Sequence, residues 1–300
     1  MSRQQREQVD AAVRARPAGE RTSVPQFRAE FRELMAKALV PGGIRTEETK
    51  LGGRRALLVE PAAGPGPGTI LYFHGGAFVV GAPETALSQT GNLVTRTGFR
   101  ALSLDYRLAP EQPYPAAADD CLSAYRDLLE QGVHPGSIVF AGDSAGGGLC
   151  VTTCLSARAA GLPLPAAVVL FSPWLDLTLT GESMVTRAAA DPMFTPESLS
   201  GPGALYLAGQ DPRNPLLSPA VSADFTGFPP LLIQVGTNEI LLDDSTRAAV
   251  RARAAGADVI LDVVAGVPHV FQCYSGMLDE ADEALDRAGL FIGQRVSGRD

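Results

Sequence analysis

A serine enclosed by small residues is the first candidate for catalytic chemistry. Residues 142–146 read Gly-Asp-Ser-Ala-Gly, which fits the pattern Gly-x-Ser-x-Gly. The motif follows the apolar run 138–141 and opens a helical pattern, and this strand–turn–helix setting presents nucleophilic serines. The alternative is a helix N-cap serine after a glycine-rich turn. The context favours Ser144 as a nucleophile, with Asp143 beside it in a supporting role.

A His-Gly-Gly sequence lies upstream, directly after another predicted strand. His74 is followed by Gly75 and Gly76, and residues 70–73 precede it. Acyl transfer places negative charge on a carbonyl oxygen, which backbone N–H groups stabilise when they already point at it. We therefore predict Gly75, Gly76 and Ala145 as oxyanion donors, Ala145 being the residue after the nucleophile. His74 is predicted to order this loop through a hydrogen bond, and an ordinary turn is the alternative.

A general base must take the serine proton, and the chain offers three histidines for that role. His74 belongs to the His-Gly-Gly loop, and His134 lies in a Gly/Pro-rich stretch typical of a surface loop. His269 follows the last predicted strand and precedes the last predicted helix. Because the expected chain order is nucleophile, acid, histidine, we predict His269 as the base.

The third catalytic group is a carboxylate that orients the histidine, and it should follow the strand predicted over 231–235. Glu239, Asp243 and Asp244 are the candidates. Asp243 and Asp244 fall in the first turn of the next predicted helix, where acidic residues commonly serve the helix dipole. Glu239 lies closer to the strand end, so it is the favoured acid, and Asp243 is the main alternative.

Strand-like and helix-like segments alternate along most of the chain, which predicts an α/β protein with a mainly parallel sheet covered on both faces. The predicted strands cover residues 56–60, 69–73, 100–105, 137–142, 167–172, 231–235 and 259–264. The predicted helices cover residues 84–97, 116–131, 145–160, 243–255 and 277–295. Two regions break this alternation: residues 1–40, which look helical and amphipathic, and the Pro-rich segment 176–226. Such a long segment is typical of a lid, and a disordered insert is the alternative.

Composition excludes several classes of function. A net charge of −8 with no run of Lys or Arg argues against a nucleic-acid partner. The polar N-terminus lacks a secretory signal, and no apolar run approaches the ~18 residues of a membrane span. Cys150 and Cys154 lack a second ligand pair and are interpreted as buried small hydrophobes rather than a zinc site. We expect a reduced, cytoplasmic protein.

Five segments together resemble the bacterial hormone-sensitive-lipase-like esterases, also called the GDXG family. In chain order they are residues 74–78 (His-Gly-Gly-Ala-Phe), 105–111 (Asp-Tyr-Arg-Leu-Ala-Pro-Glu), 142–147 (Gly-Asp-Ser-Ala-Gly-Gly), 172–174 (Ser-Pro-Trp) and 269–271 (His-Val-Phe). The resemblance implies an α/β-hydrolase fold, with a mostly parallel eight-stranded sheet flanked by helices and a helical cap. It places the acid 30 positions before the histidine, at residue 239, where the family usually has aspartate and this chain has Glu239.

The resemblance also implies a domain plan and an activity. The cap would comprise residues 1–40 and the insertion 176–226, and the hydrolase core residues 41–175 and 227–300. The expected function is a carboxylesterase that uses a Ser-His-Glu triad on short- to medium-chain esters, without metal or cofactor. A lactone hydrolase and an N-acetyl or amide hydrolase of a small secondary metabolite are alternatives, as is a non-catalytic small-molecule-binding protein. The partner would be a small-molecule ester, and a homodimer is expected.

Overall fold

An eight-stranded sheet forms the centre of the computed structural model, which describes residues 2–16 and 23–296. The strands are β1 (Ile44–Leu51), β2 (Arg54–Pro61), β3 (Thr69–Phe73), β4 (Arg100–Leu104), β5 (Ile138–Asp143), β6 (Ala167–Phe171), β7 (Leu231–Gly236) and β8 (Val259–Val264). Their spatial order is β1-β2-β4-β3-β5-β6-β7-β8. The pairs β1/β2 and β2/β4 are antiparallel, and every other pair is parallel. The prediction of a mainly parallel sheet is confirmed.

Helices cover both faces of this sheet. They are α1 (Ser2–Arg14), α2 (Val24–Met35), α3 (Leu87–Thr97), α4 (Ala116–Glu130), α5 (Ala145–Ala159), α6 (Ser183–Thr186), α7 (Pro196–Leu207), α8 (Pro219–Ser222), α9 (Leu242–Ala254) and α10 (Asp279–Val296). Buried side chains of α4, α5 and α9 share one apolar cluster with the sheet, and those of α3 and α10 share another on the opposite face. Strands β3, β5, β6 and β7 are buried along their whole length, which explains their continuous apolar runs.

Strand β1 was not predicted from the sequence. Its residues Ile44–Leu51 read Ile-Arg-Thr-Glu-Glu-Thr-Lys-Leu, and most of them are exposed. Because β1 is an edge strand that pairs only with β2, it needs no apolar alternation, and charged residues protect its free edge. The other predicted elements are present. Strands β3 and β8 have the predicted bounds, and the ends of the remaining elements are shifted by a few residues. The helix predicted over 84–97 begins as a 3-10 turn at Pro83–Ala86 before α3.

The two irregular regions contain short helices that lie outside the sheet. In the described part of residues 1–40, α1 and α2 confirm the expected helical character, while residues 1 and 17–22 lie outside the described residues. The segment 176–226 contains α6, α7 and α8, so it is an ordered, partly helical insertion between β6 and β7. The insertion begins at the carboxyl end of β6, and ligand sites of open α/β sheets form at the carboxyl ends of their strands.

Candidate active site

Ser144 occupies a strained turn between β5 and α5. Its backbone angles are φ 51° and ψ −120°, a conformation that L-residues rarely adopt. The Ser144 N–H donates to the Phe171 carbonyl at 2.9 Å, and its own carbonyl accepts from the Trp174 N–H at 2.9 Å. A Cβ at Gly146 would lie 1.9 Å from the Phe73 carbonyl oxygen, so only glycine fits beneath the turn. The expected strand–turn–helix geometry is therefore present.

His269 and Glu239 form a buried pair. The His269 Nδ1 lies 2.7 Å from Glu239 Oε2, and the side chains are 3% and 0% exposed. Glu239 is the only carboxylate within 4.0 Å of a His269 ring nitrogen among residues 2–16 and 23–296. The other ring nitrogen, Nε2, is buried and finds no hydrogen-bond partner in the same part of the chain. The imidazole is thus anchored on one side and free to accept a proton on the other.

Asp243 and Asp244 point elsewhere. Asp243 Oδ2 accepts from the Ser183 N–H at 2.8 Å. Asp244 is fully buried, and its Oδ2 accepts from the backbone N–H groups of Leu175 at 2.7 Å and Asp176 at 2.8 Å. Both carboxylates join the start of α9 to the segment that follows β6, so the geometry favours Glu239 over Asp243.

Ser172 is a site residue that sequence reasoning missed. Its hydroxyl donates to Glu239 Oε1 at 2.7 Å and accepts from the Val270 N–H at 3.0 Å. One side chain therefore connects the acid to the residue next to His269. The segment 172–174 was part of the family resemblance, but nothing in its residue types indicated this contact. Ser172 also adopts a positive φ of 45°, as expected of a backbone held by its surroundings.

The N–H groups predicted as oxyanion donors differ in their hydrogen bonding. The Gly75 N–H donates to Asp143 Oδ1 at 3.0 Å, so a protein acceptor already engages it. The N–H groups of Gly76, Ala77 and Ala145 donate to no protein acceptor among the described residues. The Gly75 N–H is therefore less suited to an oxyanion than the N–H groups of Gly76 and Ala145, and all three assignments stay predictions. The N–H of Ala77, where φ is 52°, is the third free donor of this region.

Two buried side chains hold this loop. Asp143 Oδ1 also accepts from the Tyr72 hydroxyl at 2.8 Å, and burial raises the pKa of Asp143. His74 Nδ1 lies 2.7 Å from the Gly75 carbonyl oxygen, which is the hydrogen bond expected of it. Its ring stacks on Tyr106 with centroids 4.2 Å apart, and burial lowers the pKa of His74 to about 4. His74 is therefore neutral near pH 7.

Residues of the two irregular regions contact the site from outside the sheet. The Phe194 ring meets the His269 ring edge-on, with centroids 5.0 Å apart. The Tyr206 ring stacks on Phe78, which follows the oxyanion loop, at 3.9 Å. From α2, Arg28 Nε donates to the Val79 carbonyl at 2.9 Å.

The remaining candidate residues lie away from these contacts. His134 is exposed, as its surface-loop composition indicated. Cys150 and Cys154 are buried and unpaired, which agrees with small core hydrophobes. In residues 2–16 and 23–296, no group of three or more His, Cys, Asp or Glu side chains could hold a metal ion. Across the same residues, no helix is long and apolar enough to cross a membrane.

Known proteins are similar to this chain in sequence and in architecture. An α/β-hydrolase-fold family matches residues 70–273. The chain belongs to this family, in its bacterial hormone-sensitive-lipase-like branch. An acetyl-hydrolase of Streptomyces hygroscopicus is 43% identical over 252 residues, 84% of this chain and 82% of that protein. An esterase of Acinetobacter venetianus is 36% identical over 81% of this chain and 77% of its own length.

Solved structures extend the likeness over almost the whole chain. A crystal structure of an esterase from the bacterial hormone-sensitive lipase family superposes with a TM-score of 0.94 at 39% identity, and covers 98% of this chain and 99% of that one. The predicted family resemblance and the predicted eight-stranded α/β-hydrolase fold are thereby confirmed. This hormone-sensitive-lipase-like hydrolase also carries the buried His269–Glu239 pair and the strained turn at Ser144.

Proposed function

We propose that this hydrolase is a carboxylesterase that cleaves short- to medium-chain carboxylic esters through Ser144, His269 and Glu239. The observation that carries the proposal is the hydrogen bonding of the two His269 ring nitrogens. One ring nitrogen is fixed by Glu239 at 2.7 Å, and the other is buried without a partner among the described residues. A buried polar atom without a partner is costly, and an unpartnered ring nitrogen on a histidine that a carboxylate holds on its other side fits a proton acceptor.

The reaction would proceed in two halves. Ser144 Oγ attacks the carbonyl carbon of the ester while its proton passes to His269 Nε2. The resulting oxyanion accepts hydrogen bonds from the free N–H groups of Gly76, Ala77 and Ala145. The C–O bond to the alcohol then breaks, and the alcohol leaves with the proton from His269. Water hydrolyses the acyl-enzyme by the same route, which restores Ser144.

Glu239 would act through His269 rather than on the substrate. A carboxylate on Nδ1 keeps the proton on that nitrogen, leaves Nε2 as the acceptor, and stabilises the imidazolium that forms. Glu239 meets this need because it is fully buried and its Oε1 is held by Ser172 at 2.7 Å and by the Gly236 N–H at 2.5 Å. The geometry therefore supports glutamate as the acid.

A cluster of aromatic side chains supports the proposal that the enzyme prefers short- to medium-chain acyl groups. The backbone N–H of Trp174 donates to the Ser144 carbonyl, so the backbone of Trp174 lies directly beside the nucleophile. Its ring is 5.8 Å from that of Phe78, which in turn stacks on Tyr206. All three side chains are buried, and we expect this aromatic cluster to favour small acyl groups. The acetyl-hydrolase relative also favours acetyl as one such group. We assign the covering role of a cap to residues 1–40 and 176–226.

A panel of p-nitrophenyl acetate, butyrate, octanoate and palmitate tests the proposal. We expect the highest kcat/KM on the two shorter esters and almost none on palmitate. Ser144→Ala, with its fold checked by circular dichroism, should lose about 10⁴-fold or more in kcat. Full turnover by Ser144→Ala would contradict the mechanism. A higher kcat/KM on a lactone or an N-acetyl amine than on every ester would contradict the substrate class while leaving the mechanism in place.

A further inference from the structure

The loop that carries Glu239 is held from both sides by the insertion 176–226. The Ile240 N–H, which belongs to the peptide group that joins Ile240 to Glu239, donates to Asp191 Oδ2 at 2.8 Å. The Ile240 carbonyl accepts from the Ser183 hydroxyl at 2.6 Å. Ile240 is fully buried and Asp191 is 6% exposed, so water does not compete for these bonds. The position of the acid loop therefore depends on two side chains of the insertion.

The second oxygen of Asp191 organises a different contact. Asp191 Oδ1 accepts from the N–H groups of Met193 at 2.8 Å and Phe194 at 2.9 Å. These bonds fix the turn that carries Phe194, whose ring packs edge-on against His269 with centroids 5.0 Å apart. The Asp191 carboxylate thus binds the residue next to Glu239 and the turn that carries the ring packed on His269.

We propose that Asp191 is a positioning residue for the catalytic pair. It would fix Glu239 through the Ile240 peptide and fix the His269 ring through Phe194. Packing of the insertion against the site would therefore also align the His269–Glu239 pair. This inference rests on the proposed function, since it assigns a purpose to the same His269 and Glu239. Asp191 contacts no reacting atom, and its effect is geometric.

The acceptor geometry of Asp191 sets the expected size of the effect. Asp191→Ala removes the acceptor for three N–H groups, whereas Asp191→Asn keeps one carbonyl oxygen and can serve only one of the two loops. Small misplacements of catalytic groups cost up to about 100-fold in rate. We expect kcat to fall about 10- to 100-fold in Asp191→Ala and by a smaller factor in Asp191→Asn, with little change in KM.

Amide hydrogen exchange supplies a readout that simple destabilisation would not reproduce. In Asp191→Ala, exchange at the Ile240 amide should accelerate while the amides of β5 and β6 keep their protection. Asp211→Ala is the matched control, because Asp211 belongs to the same insertion but is exposed, and among the described residues its carboxylate pairs only with Arg213. That variant should keep the wild-type kcat and the wild-type exchange at Ile240.

The outcomes separate this inference from the proposed function. If Ser144→Ala is inactive while folded Asp191→Ala and Asp191→Asn keep the wild-type kcat, Asp191 has no positioning role and the proposed function stands. Unchanged exchange at Ile240 in Asp191→Ala would also overturn the inference. If Ser144→Ala retains turnover, the proposed function itself fails. Reduced kcat with local release of Ile240, partly rescued in Asp191→Asn, is the result that supports it.

Discussion

Glu239 uses its two carboxylate oxygens for different purposes. Oε1 is held by the Gly236 N–H and the Ser172 hydroxyl, and Oε2 lies 2.7 Å from His269 Nδ1. The resemblance implied aspartate at this position, and the longer glutamate is accommodated because the Gly236 N–H holds its Oε1 at the end of β7. The extra methylene therefore does not leave the carboxylate free to rotate away from the histidine.

Replacement of this carboxylate gives the first residue-scale prediction. Glu239→Gln places an amide beside His269 and should lower kcat/KM for p-nitrophenyl butyrate by about 10²- to 10⁴-fold, because the imidazole loses the partner that fixes its tautomer. Asp243→Asn is the matched control, since Asp243 binds the Ser183 N–H instead. A larger loss in Asp243→Asn than in Glu239→Gln would show that the acid has been assigned to the wrong residue.

Side chains in motifs were easier to predict than backbone donors. Ser144, His269 and Glu239 each follow a strand end at a position that the sequence pattern indicates. The engagement of Gly75 depends on where its N–H points, and that direction is set by the Asp143 carboxylate at 3.0 Å. Ser172 was missed for a similar reason, because its contact with Glu239 exists only once β6 and β7 lie side by side.

At the scale of elements, the serine turn depends on close packing between β3 and the start of α5. The Gly146 Cα lies so close to the end of β3 that a Cβ would be 1.9 Å from the Phe73 carbonyl oxygen. Any side chain there must push α5 away from the sheet, together with Ala145 and Ser144 at its first turn. The approach of these two elements therefore sets the position of Ser144.

Two glycine substitutions test this dependence. Gly146→Ala should lower the free energy of unfolding by about 1–3 kcal/mol through overpacking, and should reduce activity as well. Gly293→Ala is the matched control, because Gly293 lies within α10 and its added Cβ would have no atom of the described residues within 4 Å. It should raise stability by about 0.5–1 kcal/mol. Thermal denaturation of both variants gives the comparison, and equal Tm values would contradict the packing argument.

Prediction of elements succeeded where burial dictates residue type. Strands β3 and β5–β7 are buried on both faces, so their apolar runs identify them in the sequence. Strand β1 is a polar edge strand without apolar alternation. Its pairing with β2 depends on the adjacent β2 segment rather than on a residue pattern within β1. The insertion 176–226 is Pro-rich and two of its three helices span only four residues, so periodicity alone did not define their ends.

At the scale of the whole molecule, the site places several ionisable groups in the interior. His74 is fully buried, and its pKa of about 4 lies below the ordinary value of 6.5. The unfolded chain therefore binds a proton at His74 more readily than the folded protein. Its contribution to stability is complete above pH 6.5 and is lost as the pH falls from 6.5 towards 4. Burial raises the pKa values of Asp143 and Asp244, which act in the opposite direction.

A difference measurement isolates the contribution of His74. His74→Gln cannot take up a proton, so its Tm should fall less than that of the wild type as the pH is lowered from 7 to 4.5. The absolute Tm of the variant should be lower at pH 7, because the stacking on Tyr106 is lost. Parallel Tm–pH curves for the two proteins would contradict a buried, neutral His74.

The expected homodimer stays a prediction at this scale.

The central claim is that Ser144 is the nucleophile, and covalent labelling tests it most directly. A fluorophosphonate loses fluoride and bonds to an activated serine oxygen, and tandem mass spectrometry of tryptic peptides then locates the phosphonyl group. We predict one adduct per chain, on Ser144 within the tryptic peptide 127–158, and none in Ser144→Ala. Slower labelling is expected in Glu239→Gln. An adduct on another residue of the wild type, or undiminished labelling of Ser144→Ala, would contradict the account.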